Sequence, residues 1–239
     1  MNDPSVRFAL HPDVLCLRRP DGSSRLIHLG GSSCVLDEFA TRSFDALLGI
    51  EDFGEVDEAF VSTLLAERLI MSITKEGRSA PRRTVRARLS GTALSRLLDY
   101  ADSRMSPEVR SRALLLIAKL AVRWLGWART MAAWEQHYPQ PRDARPASAT
   151  MRTAIDDAVR DAAAAAFLRY ECKERSLAAL ALCRLAHFSA ILVLGVQFLP
   201  LFAHAWVECE GQIIGDDAER CWRFEPVAYY SGSGTALRP

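Results

Sequence analysis

Residues 185–207 contain no Asp, Glu, Lys or Arg. Such a run has to be enclosed by lipid or by protein, because leaving it in water costs about 25 cal/mol for each square ångström of apolar surface. Its length matches a helical bilayer span. It also holds His187, Ser189, Gly195, Gln197, Pro200 and His204, and it shifts midway from helix-favouring to β-branched composition. Buried strands over 191–196 and 203–207 are therefore the expectation, with no membrane span. A turn at Gly211 leads into a further strand near 212–214.

The run is bracketed by chemistry. Before it, Cys172 opens a helix-favouring stretch from Leu177 to Leu185. Within it lies His204, and twelve residues further on stand Asp216 and Asp217. A thiol at a helix start has its thiolate favoured by the helix dipole, and Lys173 and Arg175 add positive potential. A strand-borne histidine that reaches the sulfur, steadied by a carboxylate on a neighbouring strand, completes a nucleophile, a base and an orienting group. The backbone N–H of Cys172 is then available to an oxyanion. Either aspartate can play the third part, since neighbours on a strand face opposite sides. Cys183, one helix face with Cys172, reads as core. Cys209 and Cys221 read as paired or free.

The rest of the chain supplies the frame. Val14 to Leu17 and Leu26 to Leu29, joined by the turn signal Pro20-Asp21-Gly22-Ser23, make a hairpin, and 6–10 offers a third strand. One helix is expected over about 33–48, stopping at Gly49. An acidic loop over 50–55, a helix over 56–68 and a short strand at 69–73 follow. Residues 74–90 are arginine-rich and read as a solvated linker. Helices are expected from Ala93, from Ser106-Pro107 through Trp134, and over 151–170. The last nine residues look frayed. The fold class is α+β in three parts: a small N-terminal module (1–73), the basic linker (74–90) and a larger C-terminal domain (91–239).

Composition excludes several functions. Thirty Lys and Arg balance 29 Asp and Glu, a net charge of +1, so no nucleic-acid footprint is expected. Six cysteines without a C-x-x-C pair indicate free thiols, a cytoplasmic setting and no zinc ribbon. There is no secretory signal pattern at the N-terminus, no G-x-x-x-x-G-K-[ST] phosphate loop and no G-x-S-x-G elbow.

Cysteine, then histidine, then aspartate is the order of papain-like and transglutaminase-like thiol enzymes. Cys172-x-x-Arg175-Ser176-x-Ala178, then Gly195-Val196, then Ala203-His204-Ala205-Trp206-Val207-Glu208-x-x-Gly211 and Asp216, resembles the transglutaminase-like leader peptidase of lasso peptide biosynthesis, the B protein. The resemblance spans about 45 residues. Lys173 departs from it, standing where an apolar residue usually follows the nucleophile. The resemblance implies a catalytic Cys172, His204 and Asp216, with Asp217 as rival. Residues 6–73 are similar in element order to the PqqD-like, winged-helix-like recognition element that precedes such peptidases. It departs there in a second helix shortened to the loop 50–55. The implied function is a cysteine endopeptidase that removes the leader of a ribosomally made precursor before an asparagine-synthetase-like cyclase closes the ring. Its partners would be that precursor and that cyclase. No cofactor is implied, ATP use belonging to the cyclase. Leu26, Ile27, Leu29, Phe60 and Leu64 are the expected walls of a leader groove in which an extended peptide adds a strand. Two other functions fit the residues: a non-catalytic leader-binding adaptor, and another transglutaminase-fold acyl transferase or amidase.

Overall fold

The computed structural model describes residues 7–52, 56–73, 91–198, 200–231 and 235–237. The chain divides into two compact units, Met1–Arg86 and Ala87–Pro239. The basic stretch 74–90 and residue 6 lie outside the described residues.

The first unit holds β1 (Arg7–Leu10), β2 (Val14–Arg18), β3 (Ser24–His28), β4 (Ser33–Leu36), α1 (Glu38–Leu47), α2 (Glu58–Ala66) and β5 (Ile70–Ile73). The expected β2–β3 hairpin is present, Val14 facing His28 and Arg18 facing Ser24. β1 does not join it but pairs antiparallel with β5. The third strand is β4, in a stretch expected to be helix. Two features explain the difference. The turn at Gly30-Gly31, with Gly31 at φ +119°, sends the chain back along β3. The helix cap is Asp37, whose carboxylate accepts the Ala40 N–H at 2.8 Å, so α1 starts after it. Val35 and Phe39, two of the apolar residues near helical spacing in that stretch, point outward at 59% and 70% exposure. Thr41 and Phe44, three residues apart, are buried instead. Leu26, Leu36, Phe44, Leu64 and Ile70 are at the centre of this unit's core.

The second unit begins with α3 (Gly91–Arg104), α4 (Pro107–Leu125), α5 (Trp127–His137), α6 (Ala149–Ala164) and α7 (Cys172–Leu185). The single long helix expected through Trp134 is two. Gly126 adopts φ +81°, a conformation open to glycine, and lets α5 depart from the axis of α4. After α7 come β6 (Ala190–Phe198), β7 (Leu201–Cys209), β8 (Gln212–Ile214), α8 (Ala218–Cys221), β9 (Glu225–Tyr230) and β10 (Thr235–Leu237). The strands form one antiparallel sheet in the order β10-β9-β6-β7-β8. The uncharged run is thus the end of α7 plus the two strands β6 and β7. Among the described residues, no helix is long and apolar enough to cross a membrane. Residues 235–237, expected to fray, form the edge strand β10.

α7 is the hub. It packs on α4, α5 and α6 and on strands β6 and β7. Ala178, Ala179 and Ala181 are fully buried, and such small side chains allow this many elements to approach one helix. Leu177 and Leu180, also fully buried, each contribute about 2–3 kcal/mol of burial.

Candidate active site

Cys172 is the first residue of α7, where backbone N–H groups have no intrahelical acceptor. The Glu174 carboxylate accepts the N–H of Glu171 at 2.7 Å and fixes the start of the helix. Cys172 is half-buried. Its thiol contacts the imidazole of His204 and the backbone N–H of Ala205.

His204 lies on β7 opposite Gly195 of β6. It is buried, with the Phe224 ring stacked on it at 4.9 Å and the Trp206 ring at 6.2 Å. Gly195 makes that stack fit: a Cβ there would stand 2.6 Å from the Trp206 ring and 2.9 Å from the Cβ of Phe224. β8 covers β7 only from Val207 to Cys209. The neighbouring stretch around His204 is therefore left open on that side for Cys172 and Asp216 to approach.

Asp216 follows β8 rather than lying on a strand. Its Oδ2 is 3.1 Å from His204 Nε2 and 3.2 Å from Arg175 Nη2, and its Oδ1 accepts the Asp217 N–H at 2.8 Å. The His204 contact is close enough for an ion pair between two buried groups. α6 holds the Asp216 turn in place. Asp156 accepts the Gly215 N–H at 2.6 Å, and Arg160 bonds the Asp216 carbonyl. Gly215, at φ +78°, packs against Val159 and Ala179, leaving little room for a side chain.

The charge state follows from these contacts. Burial opposes a thiolate at Cys172, but the His204 contact, the Ala205 N–H and the Lys173 charge outweigh it and hold the thiol below its ordinary range. Burial likewise opposes the imidazolium, yet the Asp216, Cys172 and Cys221 contacts push His204 well above the usual imidazole range. Burial disfavours the Asp216 carboxylate, but His204, the Asp217 N–H and Arg175 hold it below the carboxylate range. The three groups together favour a thiolate, an imidazolium and a carboxylate. By contrast, burial raises the thiols of Cys16 and Cys34, and the Cys209 contact together with burial raises that of Cys183. Iodoacetamide at pH 6.5 is therefore expected to label Cys172 at least about tenfold faster than these three, read by peptide mass mapping. His204→Ala removes the main cause of the lowered thiol, so the preference should disappear. Asp216 stabilises the fold above the ordinary carboxylate range, and that contribution is lost as acid protonates it.

Of the two aspartates, Asp216 meets His204. Asp217 is exposed and caps α8, accepting the Arg220 N–H at 3.1 Å. The cross-strand position expected for the carboxylate is replaced by a turn, because β8 ends at Ile214. Cys209 does not pair with Cys221: its neighbour is the Cys183 thiol, and Cys221 sits by His204. All six cysteines are free. Leu26, Ile27, Leu29 and Leu64 are buried, and Phe60 is half-buried against the same core. β3 already has β2 and β4 on its two sides, so an added strand has only β2 or β4 to use in that sheet.

Several residues at the site carry no local sequence signal. Arg160 and Asp156 come from a separate helix, and Phe224 and Cys221 from the α8 segment. Arg175 was legible as a charge one helical turn from Cys172, but not as the partner of Asp216. Among the described residues, two clusters have metal-ligating atoms within 4.8 Å of one another: His204, Asp216 and Cys221, and, in the first unit, His11, Asp13 and His28. In the second cluster, Nδ1 of His11 and of His28 each accepts a backbone N–H, at 3.2 and 2.8 Å. That places the neutral ring's proton on Nε2, against ligation there.

No curated protein and no solved structure matches the chain. Residues 112–229 match the model of the transglutaminase-like superfamily. The matched segment runs from α4 to β9 and takes in Cys172, His204 and Asp216. The C-terminal unit, of mixed helix and sheet, thus carries a segment similar to the transglutaminase-like superfamily.

Proposed function

We propose that the chain is the cysteine leader peptidase of a lasso peptide pathway. The observation that carries this reading is the contact of a half-buried helix-start thiol, Cys172, with a buried histidine that is itself 3.1 Å from Asp216. In this reading the Cys172 thiolate attacks the carbonyl at the end of the leader. The Cys172 N–H steadies the oxyanion. His204 gives its proton to the departing amine of the core peptide, and the leader is left as a thioester on Cys172. His204 then takes a proton from water, which hydrolyses the thioester. Asp216 holds the ring and favours its charged form, and Arg175, Arg160 and Asp156 hold Asp216.

The carboxylate role separates the two aspartates. Asp216→Asn is expected to lower kcat by about 10²–10⁴. Asp217→Asn leaves the ring contact in place and costs only part of a helix cap, about 1 kcal/mol or less. Leader cleavage followed by mass spectrometry, with thermal unfolding of both variants, distinguishes them.

The N-terminal unit is assigned the role of a winged-helix-like, PqqD-like leader holder. β4 supports this, as an edge strand with the exposed Val35 and with Phe39 beside it at the start of α1. A leader strand added there gains main-chain hydrogen bonds and apolar contacts. Val35→Asp should weaken leader binding about tenfold or more in a fluorescence titration, while iodoacetamide labelling of Cys172 stays unchanged. Unchanged leader affinity would remove β4 from the binding surface.

The function itself is tested by incubating the full chain with a lasso precursor whose gene neighbours its own. The expected products are a free leader acid and a core with a new N-terminal amine. A second reading, acyl transfer, is compatible with the same thiol chemistry. It predicts that an added primary amine ends up on the acyl product in place of water.

A further inference from the structure

Beside Cys172, His204 and Asp216 lies a second thiol that the proposed reaction does not use. Cys221 closes the four-residue helix α8 and is fully buried. One ligand atom each from Cys221, His204 and Asp216 lie within 4.8 Å of one another, and all three residues are buried. His204 Nε2 is enclosed there, 3.1 Å from Asp216 Oδ2. A sulfur, an imidazole nitrogen and a carboxylate oxygen thus converge on one small volume. We propose that these three side chains form a binding site for a thiophilic divalent cation, Zn²⁺ above all, which Cys221 makes selective.

Ligand atoms about 2.0–2.3 Å from a tetrahedral zinc stand roughly 3.3–3.8 Å apart. The 4.8 Å bound therefore leaves at most about 1.5 Å to close, within the reach of side-chain rotation. One thiolate and one imidazole suit zinc or cobalt and are poor ligands for magnesium and calcium, which take oxygen. Arg175 works against the ion, because its guanidinium already contacts Asp216 Oδ2 at 3.2 Å. The site is accordingly weaker than a structural zinc site built from several thiolates. Binding forms metal–sulfur, metal–nitrogen and metal–oxygen bonds. It breaks the Cys221 S–H bond and takes the proton from the His204 imidazolium. Both protons go to solvent and no electron is transferred. The consequence for Cys172 follows if His204 is its proton partner, as in the proposed function: a metal-bound His204 cannot remain an imidazolium, so the ion holds the enzyme inactive until it leaves. Binding itself does not depend on that reading.

The test is a titration of the full chain, stripped of metal, with Co²⁺, followed by the thiolate-to-cobalt charge-transfer absorption, and then with Zn²⁺ by equilibrium dialysis. No peptide is present, so the result is independent of leader cleavage. One ion per chain and a charge-transfer band are expected in the wild type and in Cys172→Ala. Cys221→Ala should lose the band and bind Zn²⁺ at least tenfold more weakly, as should His204→Ala. Cys221→Ser, which keeps the volume, repeats the test if the alanine variant does not fold by circular dichroism. The His11, Asp13 and His28 cluster contains no sulfur and cannot produce the band. A wild type without the band, a band that survives loss of Cys221, or one lost with Cys172 would overturn the proposal.

Discussion

Replacing Cys172 with alanine is expected to lower the rate of leader cleavage by at least about 10³-fold, with the fold intact. Cys172 stands at the first position of α7 and is only half-buried, so removing its sulfur leaves no large cavity. What is lost is the nucleophile, for which no neighbouring group substitutes. Cys221 contacts the same histidine, but it is fully buried and lies with Asp216. His204→Ala should cost nearly as much, and the double variant little more than either single one, because the two side chains act as a unit. Independent, multiplicative losses would mean that they do not. A non-catalytic adaptor makes the opposite prediction: leader binding is its only activity, and Cys172→Ala leaves that unchanged. Circular dichroism and thermal unfolding of each variant establish that lost cleavage is lost chemistry.

Trp134→Ala carries the largest expected effect on stability. The side chain of Trp134 is fully buried on α5, and its Nε1–H donates to the carbonyl of Leu177 at 2.9 Å. Leu177 is itself fully buried on α7, five residues beyond Cys172. Truncation removes the ring, leaves a cavity and removes the hydrogen bond, a cost of about 3–5 kcal/mol. That is a large share of the roughly 5–15 kcal/mol that holds a domain together. The melting temperature of the second unit should fall by roughly 6–20 °C. Because the ring wedges against the helix that carries Cys172, selective labelling of that thiol should weaken in the same variant. A shift of less than about 2 °C would show that α5 contributes little to holding α7.

How legible this chain was depended on the range of the forces involved. The strands β6 and β7 could be read because a run without charges has to be buried, and its β-branched half chose strand over helix. Cys172 at a helix start could be read from the uninterrupted helix formers after it. β4 could not: Val35 and Phe39 repeat at helical spacing, yet a glycine turn and the Asp37 cap decide the conformation, and both residues end up outward. Gly126 inside an apolar helical pattern costs only about 1 kcal/mol if the helix continues. Whether the helix breaks there was decided by packing, which local spacing does not carry. At the site, the order of cysteine, histidine and aspartate was visible, but the choice of Asp216 over Asp217 was not. It depends on where β8 stops and on Asp156, Arg160 and Arg175, which come from two other helices. Cys221 reaches His204 through a four-residue helix with no periodicity to reveal it.

The central claim is that Cys172 attacks the leader's scissile carbonyl and carries the leader as a thioester. It is tested by rapid mixing of the full chain with its precursor, quenching in acid and mass spectrometry of the intact protein. The account predicts a transient increase equal to the leader acyl group, mapped to the Cys172 peptide and absent in Cys172→Ala. Cleavage that persists in Cys172→Ala, or an acyl group found on another cysteine, would contradict it.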